Sequence, residues 1–114
     1  MIARSQRIST KRAAIVLRRV FDRMPTGFVF QLWDGTLVPL GEGPPVCTVV
    51  VHRPETFSRL MRDPTPYNFG EAYVEGALDI EGDLFAAMKI ADAMEEIRLS
   101  LRDRLGLLVE LWRS

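Results

Sequence analysis

The sequence predicts an α+β domain with flanking helices and a mostly antiparallel sheet of about four strands. Segments with apolar residues at helical spacing lie towards both ends of the chain, and short runs rich in β-branched and aromatic residues lie between them. The pair Asp34-Gly35 separates two of these runs, as in a β-hairpin. At 114 residues the chain is long enough for one domain with a core and too short for two of ordinary size.

The first predicted element is an amphipathic helix that begins at Ser9 or Thr10 as N-cap and runs to about Met24. Its apolar residues fall on one side at 100° per residue, and its other side is basic. The arginines predicted to meet anionic lipid headgroups there are Arg12, Arg18, Arg19 and Arg23.

Three strands are predicted next. Residues 27–33 and 36–40 form a hairpin with a two-residue turn at Asp34-Gly35, and residues 46–51 are apolar on both faces, which indicates a central strand. The lone Cys47 in this third run cannot form an internal disulfide and is expected to be a small buried hydrophobe.

The second half of the chain begins with a short helix that has Pro54 in its first turn and stops before Asp63-Pro64. A short strand is predicted near residues 77–80, and a helix follows to about Ile97. The tail 98–114 is helix-like, with Gly106 as an interruption, and carries large apolar residues that lack an obvious partner. A partner is expected to cover them, either a second copy of the chain, which would make a homo-oligomer, or a further domain.

The stretch "FGEAYVEGALDIEGDLF" combines five carboxylates with three glycines spaced by six. Its spacing does not match a calcium loop, and one His and one Cys cannot supply a zinc site. Glu71 and Glu75 would share a helix face as an acid/base pair, but solvated surface carboxylates are the commoner case. Structural roles are favoured: Gly76 as a left-handed helix C-cap, Gly82 as a turn and Asp83 as an N-cap.

The sequence gives little support for nucleophilic catalysis or phosphate binding. Cys47 and His52 are placed unfavourably for nucleophilic catalysis, and "GEGPP" lacks the N–H donors of a phosphate loop. We therefore predict no catalytic, cofactor-binding or metal-binding residue in this chain. The formal charge of zero argues against nucleic-acid binding. No run approaches the roughly 20 apolar residues of a membrane span. No secretory signal is recognised, and a cytoplasmic location is expected.

The motif residues Gly70, Glu71, Tyr73 and Gly76 resemble the Gly-Glu-x-Tyr-x-x-Gly motif in the N-terminal domain of cyclopropane-fatty-acyl-phospholipid synthases and related S-adenosylmethionine-dependent methyltransferases. "FVFQLWDGT" and "VVVHRPETFSRLMRDP" look like preceding segments of that domain, so the likeness covers about residues 12–97. The chain departs from it at Ala77-Leu78, where such enzymes often carry bulky aromatics. "ALDIEGDLFAAMKIA" is also similar to the late strand and helix of sterol-carrier-protein-2-like domains.

The resemblance implies a non-catalytic domain, residues 1–97, that associates with a phospholipid or fatty acyl chain, and a tail, 98–114, leading towards a methyltransferase domain or subunit. S-adenosylmethionine is then expected only in that second domain, and peripheral contact with the inner membrane surface is expected here. One alternative is a free-standing sterol-carrier-like lipid binder with a closed apolar tunnel. Another is a small enzyme that uses Glu71, Tyr73 or Glu75 in one cleft.

Overall fold

The α+β class with four strands is confirmed. The computed structural model describes the backbone of residues 8–113 and the side chains of residues 8–101. The elements follow in this order: α1 (Thr10–Phe21), β1 (Gly27–Gln31), β2 (Leu37–Leu40), β3 (Pro45–Val51), α2 (Pro54–Arg62), α3 (Pro66–Glu75), β4 (Leu78–Gly82) and α4 (Leu84–Arg113).

The sheet has the strand order β2-β1-β3-β4 and is mixed, whereas the sequence predicted a mostly antiparallel one. The β1–β2 and β3–β4 pairs are antiparallel, and the central β1–β3 pair is parallel. The reason is the path of the connection between β2 and β3. It passes the beginning of β1, so β3 is placed on the far side of β1 and runs in the same direction.

Glycines allow the β2–β3 connection to pass close to the backbone at the start of β1. A Cβ added to Gly27 would lie 2.2 Å from the backbone oxygen of Gly43, and one added to Gly41 would lie 2.1 Å from the oxygen of Thr26. The Glu42 amide also donates to the Met24 carbonyl at 3.0 Å. The loop "GEGPP" is therefore packed against the start of β1, and its glycines serve close backbone approach.

The β1–β2 turn differs from the predicted two-residue turn. The Leu32 amide donates to the Thr36 carbonyl and the Gly35 amide donates to the Leu32 carbonyl, so three residues form the loop. Within this loop only Gly35 has positive φ, at 90°, which is the pattern of a type I turn followed by a left-handed residue. Asp34 accepts from the Thr36 amide and the Thr10 hydroxyl, and hydrogen bonds from Thr36 and Thr10 lower its pKa.

The core lies on one face of the sheet. Strand side chains such as Phe28, Phe30 and Val51 are buried against helix residues such as Leu17 and Phe57. Cys47 belongs to the same cluster, as predicted, and burial, with a smaller contribution from Asp83, raises the pKa of its thiol. The helical layer is therefore confined to this face, and its arrangement determines where a ligand pocket can form.

Helix α1 is capped as the sequence predicted. Its N-cap is Ser9, whose hydroxyl accepts from the Arg12 amide at 3.2 Å. The helix ends at Phe21, earlier than the predicted Met24. Pro66 lies in the first turn of α3, and Thr65 caps that helix. Gly70 therefore lies inside a ten-residue helix.

Helix α4 continues as one 30-residue helix through Ile97, where its end was predicted, and through Gly106. Leu99 and Leu101 are 44% and 42% exposed. The predicted apolar tail residues from 105 onward lie outside the described side chains, so oligomerisation through residues 98–114 stays a prediction. No helix within the described residues combines the length and apolar character needed to cross a membrane.

Candidate functional site

Helix α3 presents an apolar stripe that includes part of the sequence motif. The stripe follows the i, i+3, i+4, i+7, i+8 spacing of one helix face, and its members are Pro66, Phe69, Gly70, Tyr73 and Val74. Thr65 begins the helix by accepting from the Asn68 amide at 3.1 Å, and Gly76 ends it with φ of 80°. The predicted left-handed C-cap at Gly76 is confirmed.

Helix α4 faces this stripe with a second one. Asp83 begins α4 as predicted, since its Oδ1 accepts from the amides of Phe85 and Ala86. The chain turns into the helix at Gly82, where φ is 102°. The α4 residues on the stripe are Leu84, Ala87, Met88, Ala91 and Met94. At two of these positions, Ala87 and Ala91, α4 contributes only a methyl group to the stripe.

A cavity of about 190 Å³ lies between the two stripes. Val49, Leu78 and Ile80 of the sheet contribute to its lining, and Ile90 of α4 completes it. Tyr73 carries the one polar side-chain group among the lining residues, and no charged residue lines the cavity. We call this the α3–α4 pocket. Its chemistry suits a hydrocarbon and offers almost nothing to a polar ligand.

The α3–α4 pocket opens to the surface. Leu78 and Met94 in its lining are 0% and 1% exposed, whereas Val74 and Met88 are 85% and 56% exposed. Tyr73 and Leu84 are also exposed. The mouth of the pocket is therefore surrounded by exposed apolar side chains, a feature that marks binding surfaces when such side chains are contiguous.

The two glutamates of the proposed acid/base pair face another helix. Arg59 of α2 donates to Glu75 at 3.0 Å and lies 3.8 Å from Glu71, which also accepts from the Tyr67 hydroxyl at 2.8 Å. The bond from Arg59 to Glu75 raises the pKa of Arg59, and the bond to Glu71 raises that of Tyr67. These contacts are exposed and contribute little stability. Glu71 and Glu75 lie away from Tyr73, which lines the pocket.

The arginines that were predicted to contact lipid headgroups lie away from the α3–α4 pocket. Arg12, Arg18, Arg19 and Arg23 are exposed, and none lines the α3–α4 pocket. Helix α1 packs near β2, at one edge of the sheet, whereas α3 packs near β4 at the other. The structure therefore separates the two sets of predicted site residues. It also divides the motif, because Gly70 and Tyr73 line the pocket while Glu71 and Gly76 do not.

Metal-binding and nucleophilic groups are sparse. No cluster of three or more His, Cys, Asp or Glu side chains that could hold a metal occurs among the described residues. The His52 Nε2 lies 2.8 Å from Asp79 Oδ2 in an exposed pair that links the end of β3 to β4. Cys47 is buried away from it in the core, which leaves no Cys/His pair for nucleophilic catalysis here.

Residues 16–100 match the family described as "Domain of unknown function (DUF7884)". The chain belongs to the DUF7884 family. The matched range contains the whole lining of the α3–α4 pocket, so the pocket lies within the DUF7884 domain of this chain.

Part of this DUF7884 domain is similar to a protein from Pseudomonas putida named "Probable fatty acid methyltransferase", with 38% identity over 66 residues. The aligned segment is 58% of this chain and 16% of that protein, so the chain spans a small part of the length of the relative. The sequence resemblance to a fatty-acid-modifying methyltransferase is thus confirmed. Cyclopropane formation is not in that name and stays a prediction.

A solved structure named "UbiJ-SCP2 Ubiquinone synthesis protein" overlaps the DUF7884 domain with a TM-score of 0.46 and 15% identity. The overlap covers 79% of this chain and 91% of the other. So partial an overlap assigns neither a fold family nor a function.

The α3–α4 pocket was not predicted from the sequence, because the α4 stripe has the spacing of a core face and α3 was not recognised as a full helix. A usable signal was present at Gly70. Glycine inside a helix costs about 1 kcal/mol relative to alanine, so it calls for a local reason. Together with Ala87 and Ala91 on the facing helix, it indicates space that larger side chains would fill.

Proposed function

We propose that this DUF7884 domain is a non-catalytic, acyl-lipid-associated domain of a fatty acid methyltransferase, and that its α3–α4 pocket receives hydrocarbon. The observation that carries the proposal is an uncharged, surface-opening pocket lined by Gly70 and Tyr73 of the sequence motif. The name of the Pseudomonas putida relative supports fatty acids as the ligand class. The methyl transfer itself belongs to another part of such an enzyme.

S-adenosylmethionine does not suit the α3–α4 pocket. Its lining has no carboxylate or amide side chain to bind ribose hydroxyls or the amino-acid portion of the cofactor. We therefore propose that the cofactor binds only in a separate catalytic domain. The pocket also opens at the surface instead of forming the closed tunnel expected of a free-standing carrier, which favours a domain that works beside a partner.

Filling the pocket tests the proposal. We expect Gly70→Leu to weaken binding of the fluorescent fatty acid cis-parinaric acid at least about tenfold, because the new side chain occupies space that the ligand needs. A Cβ at Gly70 meets no atom within 4 Å, and leucine is a better helix former than glycine, so the variant should fold.

The matched control is Asp92→Leu, which adds the same side chain to an exposed site on α4 that does not line the α3–α4 pocket. It should bind within about twofold of the native affinity, since surface substitutions of this kind have small effects. Absence of binding by the native domain, or equal binding by Gly70→Leu, would contradict the proposed function.

Membrane contact through α1 is a second part of the proposal. The four exposed arginines of its basic side form no ion pair with another described residue. We expect a double reversal, Arg18→Glu with Arg19→Glu, to weaken partitioning onto anionic vesicles in co-sedimentation by at least about 30-fold at low salt, since each basic residue near such a surface is worth about 1 kcal/mol and the new carboxylates add repulsion.

The control for this experiment is Arg53→Glu with Arg62→Glu, which makes the same change in net charge at exposed sites on and next to α2. If both double variants lose vesicle binding equally, then net charge and not the α1 surface determines adsorption. The difference between the variants should also shrink in high salt, because screening shortens the range of these charges.

A further inference from the structure

We infer that the α3–α4 pocket takes a single hydrocarbon end of roughly seven or eight carbons and does not recognise the headgroup. This inference rests on the proposed function and specifies its ligand. It follows from three properties of the pocket: its volume, the absence of charge in its lining and the apolar surroundings of its mouth.

The volume limits the length. A dry apolar cavity of about 150 Å³ binds benzene, which has six carbons, whereas pockets that enclose drug-sized ligands usually have at least about 300 Å³. At about 190 Å³ the α3–α4 pocket has room for roughly seven or eight carbons. A common fatty acyl chain is about twice as long and therefore cannot be enclosed.

The charges near the pocket exclude headgroup recognition. Lys89 is next to Met88 in sequence but lines a separate small cavity with Met24 and Ala93. On α3, Glu71 faces Arg59, and the guanidinium of Arg59 is already engaged by the carboxylates of α3. A carboxylate or phosphate that entered the pocket would thus lose its hydration without gaining a cation, which is strongly unfavourable.

The mouth suits a chain that is only partly inserted. The exposed side chains of Val74 and Met88 border the opening, so the carbons that leave the pocket pass over an apolar rim. The uncharged methyl end of an acyl chain meets all three conditions. The headgroup and the remaining carbons then stay outside the domain, in the membrane or in a partner.

Calorimetric titration of the native chain with n-alkanols from butanol to decanol tests this inference. Affinity should rise about fourfold per added methylene, which is what burial of one CH₂ contributes. Beyond about eight carbons the gain should fall below about 1.5-fold per methylene, because additional carbons remain outside. Octanoate should bind no more tightly than octanol at neutral pH.

The outcomes separate this inference from the proposed function. If no alkanol and no fatty acid bind, the proposed function fails and the inference fails with it. If affinity keeps rising about fourfold through decanol, or if octanoate binds more than about tenfold tighter than octanol, lipid binding stands and the inference is overturned. In Gly70→Leu the plateau should move to a chain shorter by several carbons, and an unchanged plateau would place the alkanols in another site.

Discussion

Replacing Gly27 with alanine is expected to destabilise the domain by about 3 kcal/mol or more. The added Cβ would lie 2.2 Å from the Gly43 backbone oxygen and 3.0 Å from the Pro44 oxygen. Neither atom belongs to a flexible side chain, so relief requires movement of the β2–β3 connection where it passes β1. That movement would disturb the first pairing of β1 with β3, Gly27 with Pro45.

Urea denaturation followed by circular dichroism measures this effect. The control is Gly70→Ala, where the added Cβ meets open space within a helix. We expect Gly70→Ala to raise the free energy of unfolding by about 0.5 to 1 kcal/mol, because alanine has the higher helix propensity. A loss below about 1 kcal/mol for Gly27→Ala would contradict tight packing of the β2–β3 connection against the start of β1.

Truncating Phe57 to alanine is expected to cost about 3 to 5 kcal/mol. The Phe57 ring is 1% exposed and belongs to the core cluster. It also makes an edge contact with Trp33, with ring centroids 5.8 Å apart. Helix α2 has few other anchors, since its remaining buried residues are Thr56 and Leu60. The loss should therefore loosen α2 and with it the position of Arg59.

Thermal unfolding gives the readout, with an expected fall in Tm of about 4 to 8 °C for each kcal/mol in a domain of this size. The matched aromatic control is Tyr67→Ala, because Tyr67 is 70% exposed. It should change the free energy of unfolding by no more than about 0.5 kcal/mol. Equal losses in the two variants would contradict the assignment of Phe57 to the core.

The features predicted correctly from the sequence depend on local chemistry. Ser9 caps α1, Pro54 stands in the first turn of α2, Gly76 ends α3, and Asp83 begins α4. In each case a side chain or a permissive backbone meets a requirement of residues within one helical turn. Such requirements can be recognised without knowledge of the tertiary structure.

The features that were missed depend on contacts between distant segments. The parallel pairing of β1 with β3 arises from the route of a loop, and periodicity within a strand does not report which neighbour it pairs with. The α4 stripe has the spacing of a core face, but the position of α3 leaves Met88 at an open mouth instead of burying it. A pocket is space between elements, so no single segment encodes it.

Helix α3 is the least firmly held wall of the α3–α4 pocket, since Ala72 is its one fully buried described residue. Burial of a methyl group contributes far less than the Phe and Leu anchors of α1 and α2, and the Arg59 ion pairs add little. The backbone amides of α3 should therefore exchange with solvent deuterium through local opening, well before the sheet opens. An occupied pocket would slow that exchange, which makes the amides of α3 a direct reporter of occupancy.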